Sequence, residues 1–101
     1  MKGKEVVERF VAMCYERRGT NASSGNWRAD FNKGMPELRL FGNRIAWLKV
    51  QWGDTHDLIE TSNCGWNTRT TNKGLSWVMR YVDSARFRQQ QHMVFEENYD
   101  G

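Results

Sequence analysis

The sequence predicts a small α+β domain in which an antiparallel β-meander packs against an N-terminal helix and a second helix near residues 71–82. Three observations predict this class. A helical apolar stripe begins near the N-terminus, an alternating pattern with a glycine turn covers residues 37–62, and a second helical stripe follows a group of threonines. We expect residues 1–101 to form a single domain with an acidic, polar tail from about residue 96.

The first helix is predicted over residues 4–18, where apolar residues recur at helical spacing. Its stripe consists of Val6, Val7, Phe10, Val11 and Cys14. Acidic residues in its first turns and Arg17 and Arg18 in its last turn suit the helix dipole. Gly19 can adopt the left-handed conformation that ends a helix, so we expect the helix to end there.

Residues 19–35 are rich in glycine, asparagine and serine, and this composition predicts a long loop. Trp27 and Phe31 are expected to attach that loop to the core. A long polar loop is often functional, so Trp27 and Arg28 are candidate contact residues.

Residues 37–52 predict a β-hairpin that turns at Gly42 and Asn43, with glycine first as in a type II′ turn. Alternation on the return strand predicts one face with Ala46, Leu48, Val50 and Trp52, and an opposite face with Ile45, Trp47, Lys49 and Gln51. Residues 58–62 are predicted to add a third antiparallel strand.

The second helix follows three candidate N-cap residues, Thr68, Thr70 and Thr71. Its predicted stripe contains Leu75, Val78, Met79 and Val82. Gly74 is expected to loosen its first turn, because glycine costs about 1 kcal/mol relative to alanine in a helix. Residues 93–95 predict a short edge strand, which could pair across a two-fold axis in a homodimer.

Composition excludes several classes of function. The net charge of +3 permits nucleic-acid binding without indicating it, although residues 61–92 carry five bases against a single acid, Asp83. The longest apolar run is too short to cross a bilayer. Two cysteines without a secretory signal predict reduced thiols in the cytoplasm.

No catalytic or metal-ligating set is apparent in the sequence. Cys64 with His56 or His92 is the one candidate nucleophile pair, but nothing local brings these residues together, and we interpret Cys64 as a turn residue. Cys14 belongs to the core stripe. The cysteines and histidines are scattered singly, unlike the clustered ligands of a zinc site. We therefore expect no cofactor, no metal and no enzymatic activity.

A binding surface is the remaining candidate. Rings and bases alternate around the predicted sheet and the start of the second helix, and the residues that we single out are Trp27, Arg28, Arg44, Lys49, Trp66, Arg69 and Lys73. Stacked rings beside bases hold single-stranded nucleic acid at about 1–3 kcal/mol per base. Tryptophan and arginine also form protein–protein hot spots, so composition leaves both partners open.

Two short motifs resemble a group of small uncharacterised bacteriophage and prophage proteins. The first runs from Leu38 to Trp47 (LRLFGNRIAW) after Ser24-Gly25-Asn26, and the second is the Gly-Trp-x-Thr-x-Thr-Thr segment of residues 65–71. The resemblance covers roughly residues 24–82, and a Lys-Gly-Met-Pro segment replaces the Asp-Gly turn common before the first strand. It implies a phage or mobile-element origin and an α+β fold, and it implies no activity.

These observations together predict a non-catalytic phage or prophage accessory protein that binds a macromolecule. We favour a protein target, such as a host defence nuclease or RNA-guided complex that is blocked by occlusion in the manner of an anti-CRISPR protein. Binding of nucleic acid in replication or packaging is the second hypothesis, and a small enzyme that uses Cys64 is the third.

Overall fold

The computed structural model describes residues 2–50, 57–65, 68–83 and 86–92, which form one sheet and two helices. This arrangement confirms the predicted α+β class. The elements of the described residues are α1 (Gly3–Glu16), β1 (Ala22–Ser24), β2 (Trp27–Asn32), β3 (Met35–Leu40), β4 (Asn43–Lys49), β5 (Asp57–Ser62), α2 (Arg69–Tyr81) and β6 (Phe87–His92). The strands lie in chain order across the sheet. All neighbours are antiparallel except β5 and β6, which are parallel.

Helix α1 forms because its apolar stripe has a sheet to cover, and all five predicted stripe residues are buried. At its start, the backbone N–H of Lys2 donates to Oε1 of Glu5 at 2.9 Å. The predicted end at Gly19 is wrong: Arg17 adopts the left-handed conformation, with a φ of 57°. Its guanidinium group pairs with the carboxylate of Asp57, which connects the end of α1 to β5.

The predicted loop at residues 19–35 is also wrong, because it contains β1 and the whole of β2. Glycine and asparagine in this stretch occupy the tight turns between strands, and the polar residues of β2 face away from the helices. Trp27 and Ala29 face the helices instead, and Ala29 is fully buried. Turn residues interrupt the alternation so often that the composition resembles that of a loop.

The hairpin of β3 and β4 is confirmed, but its turn is displaced by one residue. Phe41 and Gly42 form the turn with φ angles of 52° and 82°, the signs of a type I′ turn, where Gly42 and Asn43 were predicted. The register shifts between Leu38 and Arg39, so that β4 holds one extra residue. This bulge turns Ile45 inward, and Ile45 is buried beside Ala46 although alternation placed them on opposite faces.

Helix α2 begins after Thr68, whose hydroxyl accepts the backbone N–H of Thr71. Of its predicted stripe, Met79 is 46% exposed. The chain then returns and adds β6 parallel to β5, a pairing that the sequence did not indicate. The edge strand predicted at residues 93–95 lies outside the described residues.

Both helices cover the same face of the sheet, and the hydrophobic core lies between the helices and the sheet. The Trp27 ring is central, because a Cβ on Gly3 of α1 would lie 2.5 Å from its Nε1. A Cβ on Gly74 of α2 would lie 2.4 Å from its Cη2. Gly74 is therefore a close-packing position rather than a weakness in the first turn. We call the opposite face of the sheet, which neither helix covers, the outer face.

Candidate functional site

The outer face carries alternating rows of charge. On β2 to β5 it presents eight charged or aromatic side chains, namely Arg28, Asp30, Glu37, Arg39, Arg44, Trp47, Lys49 and Glu60. The register aligns them, because residues directly opposite on neighbouring strands point to the same face.

The basic row crosses three strands. Arg28 lies opposite Arg39, and Arg39 lies opposite Arg44. In the next row Asp30 lies opposite Glu37. Like charges thus meet within a row, which is unfavourable, and opposite charges meet between rows.

Ion pairs between the rows compensate for this repulsion. Glu37 lies 3.4 Å from the guanidinium of Arg39 and 3.4 Å from that of Arg44. Asp30 lies 3.3 Å from Arg28 and 3.9 Å from Arg39. Arg39 therefore bridges both carboxylates and joins the Arg28–Asp30 pair to the Glu37–Arg44 pair.

The acidic side chains of the outer face are more buried than the basic ones. The side chains of Asp30, Glu37 and Glu60 are only 15%, 7% and 12% exposed. Those of Arg28 and Lys49 are 59% and 60% exposed. The carboxylates consequently form the floor of the face, and the cationic groups stand above them where a partner would meet them.

Trp47 provides a rigid ring in the middle of this face. Its Nε1 donates a 2.7 Å hydrogen bond to Oε2 of Glu60. The guanidinium carbon of Arg44 lies 4.1 Å from the ring centroid, a cation–π distance. Lys49 Nζ lies 3.9 Å from the other oxygen of Glu60. The ring is thus held at its edge and covered on one side, and it is half-buried.

Three of the predicted site residues, Arg28, Arg44 and Lys49, come together on the outer face. Trp27 does not join them, since alternation turns its ring to the helices, where it lies 5.7 Å from the Trp77 ring between centroids. Arg69 and Lys73 are exposed on α2, on the helical side of the sheet. Trp66 lies outside the described residues.

Sequence reasoning missed the four charged residues Asp30, Glu37, Arg39 and Glu60. Glu37 and Arg39 did alternate with leucines, so a face that contained them was predictable. Their pairing was not, because it depends on the register of β2, β3 and β4 and on the bulge. Trp47 was predicted to share a face with Lys49, and it is the half-buried ring of the outer face.

The two cysteines lie in different environments. Cys14 is buried in the core, and burial raises the pKa of its thiol to about 12. Cys64 is exposed in a turn with a φ of 53°, and its Sγ donates to the carbonyl oxygen of Arg44 at 3.1 Å. His56 and the side chain of His92, its predicted partners, lie outside what the structure describes.

Within the described ranges, no three His, Cys, Asp or Glu side chains lie close enough to hold a metal ion. No helix in the same ranges is long and apolar enough to cross a membrane. Comparison with known proteins found no matching family model, no similar curated protein and no similar solved structure.

Proposed function

We propose that this chain is a non-catalytic binding protein that engages a partner protein through the outer face of its sheet. The observation that carries the proposal is the layered arrangement of charged side chains on this face. Exposed basic groups are ion-paired to buried carboxylates around one fixed tryptophan. No described helix covers these side chains, although the opposite face is covered by both helices.

The ion pairs favour binding because they hold the cations in place before a partner arrives. A free arginine loses about 0.5–1.5 kcal/mol of side-chain entropy when an interface immobilises it. Arg39 and Arg44 are already held by Glu37, and Arg28 by Asp30. Arginine and tryptophan in such fixed positions are the residue types that dominate binding energy at protein interfaces.

The same charge pattern favours a protein over a nucleic acid. Among the ion-paired groups of the outer face, four bases are opposed by three carboxylates, so a phosphate chain laid across these groups would gain little net attraction. A protein surface can instead place single acidic groups against Arg28 and Lys49 and apolar groups against Trp47. Alternating charge also specifies the orientation of such a partner.

The biological setting is proposed from the resemblance to small phage and prophage proteins. A phage accessory protein without catalysis acts by occupying a surface that its target needs. We propose a host protein as the target, such as a component of a defence complex that the bound chain occludes. Nucleic-acid binding in replication or packaging is the competing function that the first experiment must separate.

That experiment is capture of partners from host lysate with tagged protein, with and without nuclease, at two salt concentrations. The test variant is Arg28→Gln/Lys49→Gln, because both side chains are highly exposed and their loss should leave the fold intact. The matched control is Arg69→Gln/Lys73→Gln, which removes the same charge from the helical side. All variants are checked for unchanged melting temperature.

We expect a defined protein that survives nuclease and is recovered at least about tenfold less by the outer-face variant, while the control retains it. Recovery of nucleic acid alone, lost after nuclease treatment and falling steeply with salt, would instead support the competing function. Equal recovery by both variants would show that the outer face is not the binding surface.

A further inference from the structure

A pocket of about 320 Å³ opens on the helical side of the sheet, where the β3–β4 turn approaches the start of α2. Its size is at the lower limit of small-ligand sites and suits a single ring. The side chains that matter to its chemistry are Leu40, Phe41, Ile45, Asn63, Thr68 and Thr71.

The surface exposed inside this pocket is almost entirely carbon, although several lining residues are polar. Polar atoms of Asn63, Thr68 and Thr71 bond to one another or to the backbone. Oδ1 of Asn63 accepts the N–H of Gly65 at 3.0 Å. The Thr68 hydroxyl donates to Oγ1 of Thr71 at 3.0 Å. Water would therefore find few partners there, and dry apolar cavities bind apolar rings.

None of the described residues that line the pocket is ionisable, so a charged ligand would lose its hydration without compensation from them. The pocket consequently selects a neutral and largely apolar group. An aromatic ring of indole or phenyl size meets both the size and the charge requirement.

Phe41 at the rim indicates where that ring comes from. Its side chain is 61% exposed, and its φ of 52° is disfavoured for a bulky residue. Asparagine would occupy this turn position with less strain, and backbone strain of this kind is enriched at ligand-binding sites. A small molecule inside the pocket would leave Phe41 in water, whereas a protein surface would cover it.

Residues of the pocket and of the outer face are neighbours along the chain at the start of β4. Arg44 belongs to the outer face, and its two chain neighbours, Asn43 and Ile45, line the pocket. One partner surface that wraps the β3–β4 turn would therefore reach both. We propose that the pocket receives an aromatic side chain of the partner protein, packed beside Phe41. This inference rests on the proposed function, because it takes the partner to be a protein.

The test requires no identified partner. The probe is N-acetyl-L-tryptophanamide, titrated into isotope-labelled protein and followed through its backbone amide resonances, with N-acetylglycinamide as the control compound. We expect saturable shifts at Leu40, Ile45 and Thr71, with a dissociation constant on the order of 1–10 mM because a lone ring makes few contacts. The control compound should produce none.

Three variants sharpen the result. Asn43→Phe fills the pocket and should weaken probe binding at least tenfold. Phe41→Gly should weaken it at least threefold while the melting temperature stays equal or rises, because glycine relieves the left-handed backbone. That combination separates a contact role from a structural one. Met79→Ala removes the other large exposed apolar side chain and should leave binding unchanged.

Shifts that never saturate, or that persist in Asn43→Phe, would overturn the inference. A small molecule that co-purifies with the chain and occupies the pocket in native mass spectrometry would also overturn it, because the ligand would then be free. If the probe does not bind, the inference about the pocket is wrong, while the proposal that the outer face binds a partner is unaffected. If the probe binds but the Arg28→Gln/Lys49→Gln variant still captures the partner as well as the unmodified protein does, the proposed function of the outer face is wrong instead.

Discussion

Trp27 and Gly74 fit together so closely that a Cβ at position 74 would lie 2.4 Å from Cη2 of the indole. The same ring meets Gly3, where a Cβ would lie 2.5 Å from Nε1. One strand residue thus sets how close both helices come to the sheet. The two glycines are required for their small size, because neither has a positive φ.

Gly74→Ala should destabilise the protein, although alanine is the better helix former by about 1 kcal/mol. Overpacking against the Trp27 ring should outweigh that gain and lower the free energy of unfolding by about 1–3 kcal/mol. Urea unfolding measures the change. Ser76→Ala, at an exposed position of the same helix, is the control and should be neutral. A Trp27→Leu background should suppress the loss, and an equal loss there would contradict the packing argument.

Thr68→Ala should cost about 1 kcal/mol of unfolding free energy, because its hydroxyl accepts the N–H of Thr71 at the start of α2. Thr70→Ala provides the comparison, since Thr70 is exposed inside the helix and its loss should be close to neutral. Thermal unfolding of both variants decides the matter. Equal losses would mean that Thr68 is not the effective cap.

Glu37→Gln should lower the free energy of unfolding by about 1–3 kcal/mol, because it leaves Arg39 and Arg44 without the charge that holds them. The loss should shrink in high salt, which screens the repulsion between the two bases. Glu16→Gln is the control, since the Glu16 carboxylate is 58% exposed. A salt-independent loss would indicate altered packing instead of charge.

Stability should fall in alkali through Cys14. Burial raises the pKa of its thiol from 9.0 to about 12, so the folded state keeps a proton that the unfolded state releases above pH 9. The stabilisation is complete below pH 9 and is lost as the pH rises towards 12, at up to about 1.4 kcal/mol per pH unit. Cys14→Ala should flatten this part of the stability profile, and an unchanged slope would assign it to other groups.

Elements with a local signal were predictable from the sequence. The spacing of Val6, Phe10 and Cys14 predicts a helix whatever it packs against, and a threonine before an apolar stripe predicts a cap. β1 and β2 were missed because their alternation is interrupted by turn residues. The parallel pairing of β5 with β6 joins residues thirty positions apart, so no local pattern reveals it.

The candidate site was predictable in its cations and not in its organisation. Arg28, Arg44 and Lys49 stand out as bases near rings. Their pairing with the carboxylates beneath them depends on the strand register, which the sequence does not show. Trp27 and Arg28 point to opposite faces of the sheet because they are neighbours on one strand. The bulge turns Ile45 inward, where it lines the pocket. The amino-acid composition does not reveal such a bulge.

The parallel position of β6 has a consequence for the order of folding. β1 to β5 can assemble from successive hairpins as the chain leaves the ribosome, since each strand pairs with the one just made. β6 can join only after α2 has crossed the sheet and brought the chain back to the edge. A nascent chain that ends before residue 87 would therefore present β5 as an open edge, available to a neighbouring chain until synthesis is complete.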